Sequence, residues 1–427
     1  MRRSRLAVAS AATAVSAVLA LAGCGSAPDQ PHAAPLARGG AVIRGTSAVE
    51  PQVSSVPYAT ADLRFGLALL DAWCKTAPDS NIVFSPESLA TGLGMAYLGA
   101  RGATAQSMAA VLHLPAGAGA SLAAGLASRA RALRDLDRPG VTVAASDEVW
   151  ADPKLNPLTS YLDAVATAYD SGLGQVPLLT NPVRSAAEID AAIATATRGH
   201  IPHLLSPDAL SSAIFVLTDA LYLNGRWASA FQPGETYTGG FATASGGRAS
   251  VRYLSGHGYA SAADGGWTAV SLPYRGKELA MTALLPPAST AGGCPALTAD
   301  LASSLEKQLA HSAAVSGVDL PQVDLHAQEN LNGLLTSLGM GIAFSPRADF
   351  AGMSPAAGFL GTVEHAATLK VDSAGTVASA ATGVTVLPTA MWGGQDVSFD
   401  RPYLLLITDT RTGEPLFLAR VANPDLP

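Results

Sequence analysis

Cysteine is scarce in this chain. Three are present in 427 residues, at Cys24, Cys74 and Cys294. That is too few for the framework of bridges that holds small secreted domains together. Cys74 and Cys294 can form one disulfide in an oxidising location or stay two buried thiols, and spacing does not choose between them. Positive charge is also short, with 26 lysines and arginines against 33 acids. Removing residues 1–23 takes away Arg2, Arg3 and Arg5 and no acid, leaving 23 basic residues against 33 acidic ones and a charge of −10. The electrostatic footprint that nucleic-acid phosphates require is missing. No glycine-rich loop joins a strand to a Lys-Ser/Thr pair for a phosphate, and no Gly-x-Ser-x-Gly elbow surrounds any serine. Internal repeats are absent. Between Ser373 and Gln395 charge disappears altogether, for 23 consecutive residues.

What is present begins with an export pattern. Arg2, Arg3 and Arg5 precede an apolar run from Leu6 to Ala22 that ends in "LAGC", Leu21–Cys24. A basic head, a short apolar core and small residues before a break form a secretory signal. Cys24 stands where bacterial lipoprotein processing attaches lipid, which changes the expectation from secreted to surface-anchored. Residues 1–23 are therefore read as a lipoprotein-type signal peptide. Residues 24–56, rich in Ser, Ala, Pro and Gly, are read as a flexible tether that cannot bury enough to fold. The remaining segment, 57–427, is ample for a sizeable core.

Along that segment, apolar spacing predicts helices over 59–77, from Pro86 to Gly99 with Ser85 as cap, and over 104–114, 117–136, 156–170, 184–198, 297–309 and 331–338. Strands are expected over 81–86, 141–152, 175–178, 211–229, 249–254, 266–274 and 278–286, then through "AVSGVDLPQVDLHA" and "GTVEHAATLKVDS", with a hairpin at 403–409 and 416–421. The run 211–229 is apolar enough to be covered on both faces. Helices dominate the first half and strands the second, so the class is α+β.

Ser85, Asp219 and His365 all lie in apolar segments, which raises a serine-hydrolase triad. Without a strained elbow to expose a serine, the simpler reading is a buried, mutually hydrogen-bonded polar cluster. "SLEK", Ser304–Lys307, has the Ser-x-x-Lys spacing of penicillin-interacting enzymes. It comes late, no Ser-Asp-Asn follows, and a basic-Thr-Gly triplet at 411–413 is cheap in a turn. His200 and His203 flank Pro202 but find no third metal ligand. No cofactor is implied.

The uncharged stretch asks for a different explanation. Were "GTVASAAT", Gly375–Thr382, to enter a sheet beside the strand carrying His365, alternate side chains would slide under the helical layer and must be small. Thr376, Ala378, Ala380 and Thr382 are small, while a large or charged residue there would cost several kcal/mol. The sequence tolerates two states, exposed loop or buried strand.

Six segments in order then carry a resemblance. "NIVFSPESLATGLGMAYLGARGATAQSM", "IDAAIATATRGHI", "LTDALYLNGRWASAF", "LPQVDLHAQENLNGLLTSLGMGIAFSPRADFAGMS", "VEHAATLKVDSAGTVASAAT" and "FDRPYLLLITDTRTGEPLFLARVANP" together resemble the serpin family over about 60–427. The resemblance implies a single domain over 57–427 with three β-sheets, eight or nine helices and a reactive loop at about 375–396. It implies a monomeric trap for serine, sometimes cysteine, proteases. A protease cuts the loop, is held as an acyl-enzyme, and is disabled when the cut loop inserts into the central sheet. It assigns a hinge to Gly375, Thr376, Val377, Ala378, Ser379, Ala380, Ala381 and Thr382, and a shutter to Ser85, Ser88, Asp219 and His365. Spacing from Gly375 places the bait bond at Thr389–Ala390, while counting back from Phe399 places it at Met391–Trp392. Either bond suits a protease that prefers small or apolar residues. A member that binds partners without inhibiting remains the alternative. Two departures are evident. Ser373, Ala374 and Val377 replace the acids usual around the hinge. Asp219 replaces an asparagine, is expected to pair with a charged His365, and so predicts pH sensitivity in the histidine range.

Overall fold

The structure, a computed structural model, describes residues 41–115, 119–136, 140–210, 213–290, 293–312, 315–376 and 396–425. The first half runs β1 (Ala41–Ile43), α1 (Val56–Thr76), β2 (Ile82–Phe84), α2 (Pro86–Gly99), α3 (Gly102–Val111), α4 (Gly119–Arg134), β3 (Val141–Ala151), α5 (Thr159–Tyr169), β4 (Leu173–Gln175), α6 (Pro182–Ala196) and β5 (Phe215–Arg226). Strands then take over as β6 (Tyr237–Ala242), β7 (Arg248–Asp264), β8 (Trp267–Pro273) and β9 (Leu279–Leu285). The chain finishes with α7 (Ala299–His311), β10 (Val315–Pro321), β11 (Val323–Asn330), α8 (Asn332–Leu335), β12 (Val363–Val371), β13 (Gly375–Thr376), β14 (Val397–Ser398), β15 (Tyr403–Asp409) and β16 (Pro415–Val421).

Seven strands form one sheet in the order β1-β4-β3-β5-β13-β12-β11. The others form a second network, β14-β10-β7-β8-β9-β15-β16-β2, with β6 beside β7. Three sheets were expected, and the ladders fuse two of them. The cause is β7, whose 17 residues pair in turn with β6, β10 and β8. Eight α-helices lie among the described residues, within the expected number.

β5 is buried along nearly its whole length, as an apolar run covered on both faces should be. On one face Val216, Ala220 and Ala366 pack with Trp150 against Ile189 and Ile193 of α6. On the other, Leu221, Leu223 and Leu369 pack against Met281, Leu405 and Phe417 of the second sheet. α2 starts at Pro86 because Ser85 is extended and its Oγ accepts the Ser88 N–H at 3.0 Å. The helix expected over 331–338 is shorter. It is regular only to Leu335, then widens into a turn through Gly339, whose φ of 112° only glycine holds without strain.

The tether is also shorter than 24–56. β1 pairs antiparallel with β4, an edge that would otherwise expose unpaired backbone groups. Beyond it Arg44 bonds the Asp170 carbonyl at 2.8 Å, and the N–H groups of Thr46 and Ala48 donate to Asp163 and Thr167 at 2.7 and 2.9 Å. Cys74 and Cys294 are joined, which resolves the alternative left open by spacing.

Candidate functional site

The site is a seam between β5 and β12 that is already split at one end. β12 leaves the sheet at Val371 and turns on Asp372, whose carboxylate accepts the N–H groups of Ala374 and Gly375 at 2.9 and 3.2 Å. The chain re-enters as β13, between β12 and β5. Gly375 sits opposite Arg226, and Thr376 opposite both Gly225 and Val371. A Cβ on Gly375 would overlap the Gly225 carbonyl oxygen, so entry here demands glycine. The Thr376 hydroxyl is buried and hydrogen-bonds the Tyr274 hydroxyl at 2.6 Å. Tyr274 stacks on Trp227 at 4.7 Å, and Trp227 Nε1–H donates to the Asp372 carbonyl at 2.9 Å. Thr376 thus faces the second sheet and not a helical layer.

Further along, β5 and β12 pair directly and in parallel, Leu217–Tyr222 against Val363–Thr368. Asp219 and His365 meet here through Oδ1 and Nδ1. Their neighbour across β3 is Asp147, in register with Asp219. Above this row lies the first turn of α2, with Ser85 and Ser88 fully buried. Ser85, Ser88, Asp219 and His365, the residues assigned to the shutter, therefore lie together at the first turn of α2. Burial runs against the ionic pairing expected of them. Burial takes His365 down to about 3, only partly offset by a hydrogen bond to the Val83 backbone, so the ring is neutral. Burial pushes both Asp147 and Asp219 well above the usual carboxylate range. These shifts favour a proton held by the carboxyl pair over one held by the histidine.

A hydrolytic triad is ruled out by access, since Ser85, Asp219 and His365 are at most 2% exposed and the Ser85 oxygen serves as a helix cap. Ser304 donates to Asp264 at 2.9 Å, and Lys307 points to solvent. His200 stacks on Tyr222 at 3.7 Å, and His203 lies by Asp190. Among the described residues no His, Cys, Asp and Glu cluster could hold a metal. Val377, Ala378, Ser379, Ala380, Ala381, Thr382, both candidate bait bonds at Thr389–Ala390 and Met391–Trp392, and Cys24 lie outside the described residues.

Sequence reasoning missed Asp147, Asp372, Trp227 and Tyr274 as members of this site. Only Asp372 left a signal, an acid at the head of a Ser-Ala-Gly turn.

A mixed α+β body with a split central sheet and a strand poised in the gap defines the class. The family model described as serpin (serine protease inhibitor) matches residues 60–424, and the chain belongs to that family. It is 30% identical to Serpin-Z7 of Hordeum vulgare over 84% of this chain and 95% of that protein. It is 28% identical to leukocyte elastase inhibitor A of Mus musculus, over 86% and 99%. Among solved structures, native tengpin, a thermophilic serpin, superposes with a TM-score of 0.76 at 20% identity, covering 89% of this chain and 97% of that one. Maspin gives 0.78 at 21%, covering 87% and 99%.

Proposed function

We propose that this chain is a suicide-substrate inhibitor of serine proteases, driven by insertion of its own cut loop. The observation that carries the reading is Gly375–Thr376 standing in register inside the split sheet. Extending that strand down the seam sends Ala378, Ala380 and Thr382 to the face where Thr376 is buried, and all three are small enough to enter. The attacking protease serine bonds to the carbonyl carbon of Thr389. The bond to Ala390 nitrogen breaks, and that amine leaves with a proton delivered by the protease. The ester persists because the freed strand enters the sheet and carries the enzyme away from its hydrolytic geometry. The intact fold is then protected by a barrier and not by being the lowest state.

Small and apolar bait residues fit elastase-like, subtilisin-like or chymotrypsin-like pockets, and one relative is named an elastase inhibitor. We also infer export, with Cys24 as the lipid-bearing residue of a surface-anchored form. The Cys74–Cys294 bridge supports an oxidising location. The test is incubation of the full chain with a small protease panel. An SDS-resistant complex with an elastase-like or subtilisin-like enzyme is expected. Cleavage without any complex would leave only the non-inhibitory reading.

A further inference from the structure

Across the central sheet, three side chains of one face fall in a single row: Asp147 on β3, Asp219 on β5 and His365 on β12. Both acids are buried. Oδ1 of Asp147 and Oδ2 of Asp219 have no donor in hydrogen-bonding geometry, yet the two carboxyls approach one another beside the Ser88 hydroxyl. Carboxylate oxygens only accept and Ser88 has one hydroxyl proton to offer, so the two oxygens that face each other need a further proton between them. Among the described residues no Lys or Arg answers them. On α2 the nearest charged group is Glu87, itself an acid and already bound to Arg129 at 3.2 Å. β2 contributes only the Val83 backbone, and on β11 the residue in register with His365 is Glu329, which is exposed. The first turn of α2, with its N–H groups, offers only a partial positive charge, less than two carboxylates need.

We propose that Asp147 and Asp219 share a single proton in the intact protein, and that this proton holds the β5–β12 seam shut against the loop. The proposal rests on the trap reading above. Geometry selects which seam yields when the proton leaves. β3 and β5 are joined by eleven registered pairs, whereas β5 and β12 share six and are already split at one end by β13. Two charges facing each other need water, and the shorter β5–β12 ladder is the one that opens to admit it. The proton passes to solvent. The same register identifies what arrives. Six residues beyond Thr376 is Thr382, six before Gly225 is Asp219, and six before Val371 is His365. Continued insertion therefore seats Thr382 between Asp219 and His365, with its hydroxyl on their face. Asp147 acts through Asp219 and is a positioning residue.

The experiment follows entry of a labelled synthetic peptide, TVASAATGVTVLP (residues 376–388), into the intact full chain across about pH 5 to 9. If opening releases one proton, the wild-type rate rises by up to about tenfold per pH unit and then levels off. Asp147→Asn and Asp219→Asn, which keep the shape but carry no shared proton, are expected to give flat profiles. Equal slopes in wild type and variants overturn the proposal, and so does a flat wild-type profile, which needs no variant to fold. If Asp147→Asn does not fold, Asp219→Asn makes the same comparison. Failure of the peptide to enter at any pH, with no stabilisation on loop cleavage, overturns the trap reading instead.

Discussion

Arg129 shows how closely single residues are balanced in this core. It is buried on α4 and binds Asp62 at 2.8 Å and Glu87 at 3.2 Å, while both carboxyl oxygens of buried Glu414 lack a hydrogen-bonding donor. Three acids around one cation cannot all ionise. Burial pushes Asp62 up to about 6 despite Arg129, and pushes Glu414 well above its ordinary range. Arg129→Met strands the remaining charges and is expected to cost about 3–5 kcal/mol in urea unfolding at neutral pH. Glu306 is a simpler case. It accepts a hydrogen bond from Thr408 Oγ1 at 3.0 Å, and burial pushes it up to about 7. Its proton is held more tightly folded than unfolded, so the stability it supplies is complete below the ordinary carboxylate range and is lost as pH rises through about 7. Glu306→Gln should therefore reduce the fall in melting temperature between about pH 5 and 8, and an unchanged fall would contradict this. At the bait position, Thr389→Arg should move inhibition toward trypsin-like enzymes. No shift would locate the cut bond elsewhere.

Among the elements, β13 and its turn were legible in sequence only as a run of small alternating residues, "GTVASAAT", of which the described residues include Gly375 and Thr376. That Thr376 meets Tyr274 was not visible, because Tyr274 lies 102 residues earlier and comes into reach only through the fold. Asp147 was hidden for the same reason. "VTVAASDEVWAD" reads as one strand, but strand register across the sheet is what puts its acid beside Asp219. β1 was missed because three apolar residues in a Pro- and Gly-rich stretch carry no periodic signal, and pairing with the β4 edge alone decides their fate. By contrast "NIVFSPES", with its cap and Pro86, announced the start of α2. At this scale Ala380→Glu would place a charge on the face that must be buried. The variant should still be cut but should form little or no stable complex, as read on SDS gels.

For the whole molecule, the fold is a body built around a gap. One hydrophobic layer joins the central sheet to the second sheet, and another seats α6 over the same strands, so both faces of the β5–β12 seam are lined. The disulfide ties the end of α1 to the segment before α7 across a sequence separation of 220. Closing a loop of that size restricts the unfolded chain, and its reduction is expected to cost about 2–5 kcal/mol. The trap proposed above requires a driving force stored in the intact state and released once. The most direct measurement of that store is the melting temperature of the full chain before and after a single cut in the loop by a non-target protease. A sharp rise on cutting is the result this account predicts. Equal melting temperatures, with residues 376–388 still protease-accessible in the cut form, would contradict it.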